Sequence, residues 1–122
     1  MTIVEARDGR AHLTMPFLVE YAQGAGLMHG GALVSLADTA AVMAIKSVVE
    51  PQTHFATIAL NTRFLRPVKE GIVSARAKLI DRVDRVINAE ASVFNNAHQP
   101  VLEFTSAFKI AKDAKIRSIT FL

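Results

Sequence analysis

The sequence has no cysteine and no tryptophan among its 122 residues, and it has a single tyrosine. The absence of cysteine excludes disulfides, thiolate metal ligands and a cysteine nucleophile. The first residues show no basic segment followed by a long apolar stretch, so we expect no secretory signal and a cytoplasmic location. No pair of histidines stands at metal-ligand spacing, so we expect no metal site. The four histidines are His12, His29, His54 and His98.

The sequence also has no segment in which basic or acidic residues are concentrated. Fourteen Lys and Arg against eleven Asp and Glu give a net charge of +3 that is spread along the chain, so we expect no nucleic-acid partner. The stretch 27–45 is apolar and long enough to be a transmembrane candidate. Because His29 and Asp38 interrupt it, and an ionised aspartate is costly in lipid, we expect a helix buried inside protein and no membrane partner.

The chain length and its 51% apolar content predict a single domain over residues 1–122, with no assignment for the tail 112–122. Near the start, Asp8-Gly9 is a tight-turn dipeptide. Apolar and polar residues alternate after it as far as Phe17, which predicts one strand, with a hairpin as the alternative.

Four of the six glycines fall between Tyr21 and Gly31, which predicts a loop that leads into a helix. The helix is predicted from about Gly30 to Val49, because Pro51 disfavours the helical conformation at the residue before it. This helix is apolar on nearly all sides. One sheet cannot bury such a helix completely, so we predict that a second subunit packs on its other side.

After the helix the hydrophobic period changes from helical to alternating, which predicts four strands joined by short turns. A single helix is the only cover for the resulting sheet, so the sheet should wrap around it in an α+β fold. The alternating apolar sets are Val73, Ala75, Ala77 and Leu79; Ile87, Ala89, Ala91 and Val93; and Leu102, Phe104, Phe108 and Ile110, while 55–66 is rich in strand formers.

Asp38 is the residue that most needs an explanation, because a carboxylate stands here among apolar side chains. Desolvation would raise its pKa and make it a better base for activating water or attacking a carbonyl. The alternative is a carboxylate that hydrogen-bonds a neighbouring loop or faces a wet interface. The residues alone leave both open. Ser35 lacks a G-x-S-x-G setting, so a serine-hydrolase triad is not supported.

Gly30 and Gly31 open the predicted helix, where backbone N–H groups and the positive end of the helix dipole favour developing negative charge. Taken alone, two glycines before a helix more often simply form a turn. His29 could donate a hydrogen bond to substrate, although a side chain that pins the loop is the simpler interpretation. Gly30 and Asp38 are eight residues apart, about 12 Å along a helix, so both can act on one carbon only if they come from two antiparallel subunits.

The segments Gly26-Leu27-Met28-His29-Gly30-Gly31-Ala32-Leu33 and Leu36-Ala37-Asp38-Thr39-Ala40 resemble the signature of hotdog-fold thioesterases of the phenylacetic-acid-degradation type. The resemblance continues through Leu60-Asn61, Phe64-Leu65-Arg66-Pro67 and Gly71 to about Ile110. It implies a five-stranded antiparallel sheet wrapped around one long central helix. It also implies dimers with one continuous sheet, tetramers made of two dimers, and hydrolysis of acyl- or aryl-CoA thioesters.

Carried onto matching positions, the resemblance implies that Asp38 is the general base or nucleophile. The Gly30 N–H would polarise the thioester carbonyl from the partner subunit, and Thr57 would lie near the attacking water. Gln23 stands where relatives commonly have an asparagine that helps to place water or the thioester. Candidate substrate-binding residues are therefore Gln23, Gly31, Asn61, Arg63, Arg66 and Arg85, with arginines suited to the phosphates of CoA. No cofactor is expected, since CoA is part of the substrate.

Two other functions remain alternatives. A non-catalytic acyl-CoA-binding or regulatory protein could keep the fold, but it would have little need for a carboxylate facing an oxyanion site. A hydratase or dehydratase of this fold would favour a histidine five residues after the aspartate, where this sequence has Met43. The acyl group and the choice between CoA and a carrier-protein thioester are left open by the sequence.

Overall fold

The computed structural model describes residues 1–16 and 30–112 of the chain. They form an antiparallel sheet and a helix of 17 residues that packs against it. In chain order the elements are β1 (Thr2–Arg7), β2 (Arg10–Pro16), α1 (Gly30–Lys46), β3 (Phe55–Phe64), β4 (Ile72–Val83), β5 (Val86–Phe94) and β6 (Pro100–Ile110). The predicted α+β class is confirmed, and an antiparallel sheet packed on one long helix is the arrangement that the resemblance to the hotdog fold implied.

The N-terminal segment is a hairpin, which was the alternative prediction, so the sheet formed by the described residues has six strands where five were predicted. Asp8 and Gly9 form the turn, with φ angles of 53° and 79°. These positive values are those of a tight hairpin turn, and they suit aspartate and glycine. Every residue of β1 is exposed, because the helix makes few contacts with this outermost strand.

The strand order is β1-β2-β4-β5-β6-β3. The strands β4, β5 and β6 are joined in sequence by short turns, whereas β3 crosses the sheet to pair with β6 at the far edge. We call the face that carries Leu13, Val73 and Phe104 the inner face, and the opposite one the outer face. The alternating apolar sets predicted for β4, β5 and β6 all lie on the inner face and are buried.

The helix α1 packs on the inner face over β2, β4, β5 and β6. Small residues on its buried side allow this close approach, and they are Ala37, Ala40, Ala41 and Ala44. The helix ends at Lys46, three residues earlier than predicted, because the chain turns at Ser47. The Ser47 hydroxyl donates to the Ala44 carbonyl oxygen at 2.6 Å and accepts from the Gly9 N–H at 2.9 Å, which ties the end of the helix to the hairpin turn.

The edge strand β3 is the least covered of the long strands. Its inner-face residues pair with buried residues of β6, as when Phe64 pairs with Leu102. Yet most of its side chains are exposed, including Ile58, Leu60 and Phe64 at 50 to 56%. Among the described strands, β6 is its only neighbour in the sheet. Within the described residues, the other edge of β3 is therefore unpaired, and both of its faces carry exposed side chains.

Candidate active site

Asp38 lies in the middle of α1 and is half-buried. Its Oδ1 atom is buried and has no hydrogen-bond partner among the described residues. Burial removes water from the carboxylate, and this desolvation raises the pKa of Asp38 above its usual range. A buried carboxyl oxygen without a partner costs free energy, which is the kind of arrangement found where a group serves chemistry.

The raised pKa has a consequence for stability. The folded protein holds the Asp38 proton more tightly than the unfolded chain does, so this group contributes stability at low pH. The contribution is lost as the pH rises from the unfolded pKa through the folded pKa. For Asp38→Asn, which stays neutral, we expect the free energy of unfolding relative to the wild type to increase over this window and then to level off. Urea unfolding at several pH values from about 4 to 7 measures the difference, and a pH-independent difference would contradict the prediction.

Gly30 and Gly31 are the first residues of α1, as predicted. The first N–H groups of a helix have no acceptor within the helix, and the dipole is positive there. A Cβ atom built on Gly30 would lie 3.1 and 3.2 Å from the Cε1 and Cζ atoms of Phe64. The start of the helix therefore lies directly against the end of β3. Because Gly30 and Asp38 stand eight residues apart on this one helix, about 12 Å along its axis, one chain does not bring them together.

Thr57 and Asn61 lie on opposite faces of β3. Thr57 pairs with buried Phe108 and so belongs to the inner face, the side of the helix. Asn61 pairs with exposed Thr105 on the outer face. On a regular strand, two residues that are four positions apart would share one face. Here a β-bulge between Thr57 and Ala59 reverses the alternation. Thr57 therefore shares the side of the sheet that carries Asp38, and Asn61 does not.

Each of the three candidate arginines has a different protein partner on β6. Arg63 lies on the outer face, 4.0 Å from Glu103. Arg66 Nη1 donates to the Pro100 carbonyl oxygen at 2.7 Å, and Arg85 Nε donates to that of Ile110 at 3.1 Å. Pro100 and Ile110 are the two ends of β6, roughly 34 Å apart in an extended strand. Within one chain, Arg66 and Arg85 cannot hold the same phosphate.

His29 and Gln23, the remaining candidates, lie outside the described residues.

Two cavities open on the outer face, away from Asp38. One of about 460 Å³ is lined by Arg10, His12 and Arg76 among others, and one of about 320 Å³ by Asn61 and Thr105 among others. Burial, followed by the charge of Arg76, lowers the pKa of His12. Within residues 1–16 and 30–112, no three His, Asp or Glu side chains come together as a possible metal site.

Two polar residues that the sequence analysis did not single out lie on the inner face. Thr62 Oγ1 and Ser106 Oγ are buried and, within the part of the chain that the structure describes, have no hydrogen-bond partner. Thr62 pairs with Phe104 and Ser106 with Leu60, so the two are diagonal neighbours on one face. Asp38 Oδ1 on α1 is the third such oxygen. The buried side-chain oxygens without a partner in the described residues therefore all belong to α1 or to the inner face. The signal available in the sequence for Thr62 and Ser106 was that each of them alternates with apolar residues along its strand.

The family is shown by comparison with known proteins. The model of the Thioesterase superfamily matches residues 25–101, which is more than half of the chain and includes the helix and β3 to β5. The chain therefore belongs to the thioesterase superfamily and is, by family, a thioester hydrolase. A putative esterase of Halobacterium salinarum is 32% identical over 102 residues, covering 80% of this chain and 67% of the relative. The chain spans 46 to 61% of the length of three other putative esterases that it matches.

Solved structures agree with this assignment. The E. coli PaaI protein from the phenylacetic acid degradation operon superposes with a TM-score of 0.81 at 25% identity, covering 89% of this chain and 78% of that one. A hypothetical thioesterase from Streptococcus pneumoniae, solved with coenzyme A, superposes with a TM-score of 0.82 and covers 95% of this chain and 87% of that one. At 18% identity the second comparison supports the fold alone. In the described part of the chain, no helix is long and apolar enough to cross a membrane.

Proposed function

We propose that the protein hydrolyses the thioester of a small acyl- or aryl-CoA to the free acid and CoA, with Asp38 as the catalytic carboxylate. The observation that carries the proposal is the buried Oδ1 of Asp38, which lies on the inner side of the fold and has no hydrogen-bond partner within residues 1–16 and 30–112. The likeness to a protein of a phenylacetic acid degradation operon supports aryl-CoA substrates. CoA is part of the substrate, and the proposal includes no cofactor. A cytoplasmic location is part of it.

In the proposed reaction, the Asp38 carboxylate takes a proton from a water molecule whose oxygen attacks the thioester carbon. Alternatively the carboxylate attacks the carbon itself, and water then hydrolyses the anhydride. In both routes negative charge develops on the carbonyl oxygen, where the N–H of Gly30 would bind it. One such donor contributes about 3 kcal/mol of transition-state stabilisation. The C–S bond then breaks, and the CoA thiolate takes up a proton.

We propose that this site is shared between two subunits. The edge of β3 that does not pair with β6 and its exposed inner-face side chain, Leu60, suit an antiparallel β3 of a second copy, which would make one continuous sheet. In the single chain α1 begins beside Phe64 and ends near the Gly9 turn, at the opposite end of the sheet. Antiparallel pairing reverses the partner's helix, so its first residues would approach Asp38 from the side of Thr57. Two such dimers would make the expected tetramer.

The test is release of free thiol from a panel of acetyl-, hexanoyl-, benzoyl- and phenylacetyl-CoA by the purified protein. We expect turnover with at least one of these thioesters, and the order of kcat/KM values then names the acyl class. Binding measured by calorimetry without thiol release from any of them would instead favour the acyl-CoA-binding alternative. Enoyl-CoA and β-hydroxyacyl-CoA are tested as further substrates, with chromatography of the products. Conversion of one into the other without thiol release would favour a hydratase.

A further inference from the structure

The ring of Phe64 lies against the first turn of α1. Its Cε1 and Cζ atoms occupy the space in which a side chain at position 30 would begin, 3.1 and 3.2 Å from the Cβ site. The backbone that carries the ring is firmly held, because Phe64 pairs with Leu102 in the sheet. The next two N–H groups, of Leu65 and Arg66, both donate to the Val101 carbonyl oxygen, at 2.9 and 3.3 Å. The contact between the ring and the helix start is therefore set by the sheet.

The same ring is unusually open for a large apolar side chain on the inner face. It is 56% exposed, whereas Leu102, its pairing partner, is fully buried. One edge of the ring thus covers Gly30 while more than half of its surface remains available for contact. Apolar surface of this kind, directly beside backbone N–H groups, is suited to an acyl group whose carbonyl oxygen accepts from the helix start.

We propose that Phe64 determines acyl specificity by contacting the apolar part of the acyl group whose carbonyl is held at Gly30. This inference rests on the proposed thioesterase function and adds Phe64 as a residue that selects the acyl group. The ring favours aryl and longer alkyl groups, which can cover it, over acetyl, which cannot. A side chain at position 30 would require the ring to shift by a few tenths of an ångström, towards the space that the acyl group needs.

The experiment compares kcat/KM for phenylacetyl-CoA and acetyl-CoA in the wild type, Phe64→Leu and Phe64→Ala. We expect the ratio of the two values to fall about tenfold in Phe64→Ala and less in Phe64→Leu, through a higher KM for phenylacetyl-CoA. Val83→Ala is the matched control, because Val83 is a comparably exposed apolar residue at the other end of the sheet. Its ratio should equal that of the wild type.

A double-mutant cycle tests the contact itself. Gly30→Ala keeps the backbone N–H but requires the ring to shift by a few tenths of an ångström, so it should lower the same ratio, by less than Phe64→Ala does. In a Phe64→Leu background, where the shorter side chain leaves room, Gly30→Ala should have little further effect. Additive effects of the two substitutions on the ratio would overturn the inference.

The outcomes separate this inference from the proposed function. Thiol release that depends on Asp38, with a ratio unchanged in both Phe64 variants, overturns the specificity role and leaves the thioesterase proposal standing. No thiol release by the wild type overturns both. A merely structural role for Phe64 would lower kcat for both substrates equally, or change the oligomeric state seen by size-exclusion chromatography, and leave the ratio unchanged. That result also overturns the inference. If Phe64→Ala does not assemble, the ratio measured for Phe64→Leu decides the question.

Discussion

Replacing Asp38 with alanine is expected to lower kcat for thioester hydrolysis by about a hundredfold or more, because the reaction loses its base or nucleophile. The carboxylate is half-buried and its Oδ1 has no hydrogen-bond partner in the described residues. Removing it therefore relieves desolvation and breaks no hydrogen bond that is known to hold the fold. We expect the variant to fold and to bind substrate with a KM close to that of the wild type. Thiol release under saturating substrate measures the loss.

Ser35→Ala is the control for this measurement. Ser35 lies on α1 one turn before Asp38, is exposed, and is the hydroxyl closest to it in sequence on the N-terminal side. Its replacement should leave kcat within about twofold of the wild type. Asp38→Asn should lose turnover like Asp38→Ala, since an amide of the same shape cannot take a proton from water. Near-normal turnover in either Asp38 variant, with its fold and oligomeric state intact, would remove Asp38 from the mechanism.

The strands β4, β5 and β6 could be predicted from the sequence because each one is buried on a single face. Such strands alternate strictly, as Val73, Ala75 and Ala77 do in β4, and alternation is visible without a structure. The separate strand β1 was predicted only as the hairpin alternative, because both of its faces are exposed and the residues Thr2–Arg7 therefore show no alternation of apolar and polar residues. The signal for it was the Asp8-Gly9 turn. The position of β3 at the edge depends on pairing with β6, which is remote in sequence.

Within the candidate site, the sequence could identify residues that are chemically out of place but not their neighbours in space. Asp38 is conspicuous in an apolar helix, and the structure places it on α1 as predicted. The opposite faces of Thr57 and Asn61 could not be foreseen, because the bulge that separates them forms only when β3 pairs with β6. The contact of Phe64 with Gly30 was hidden for the same reason, since 34 positions separate the two residues.

Two inactive variants are expected to restore one active site when they are combined in a single dimer. Asp38→Ala removes the carboxylate. Gly30→Pro removes the N–H at a helix position whose backbone accepts proline, and its ring atoms also displace Phe64 of the same chain, so it inactivates only the site that uses its own helix start. If each site takes Asp38 from one subunit and Gly30 from the other, a heterodimer of these variants has one site with both groups and one site with neither. With two different affinity tags, the heterodimer can be purified away from both homodimers.

The purified heterodimer should show about half of the wild-type activity per dimer, against a loss of about a hundredfold in each homodimer. The regain follows from geometry, because Gly30 and Asp38 are about 12 Å apart along one helix and one chain cannot apply both to a single carbon. A site built within one subunit predicts the opposite result, since each chain of the heterodimer would then carry a defect. A heterodimer as inactive as its parents, with its composition confirmed by mass spectrometry, would therefore exclude the shared site and require a donor other than Gly30 next to Asp38.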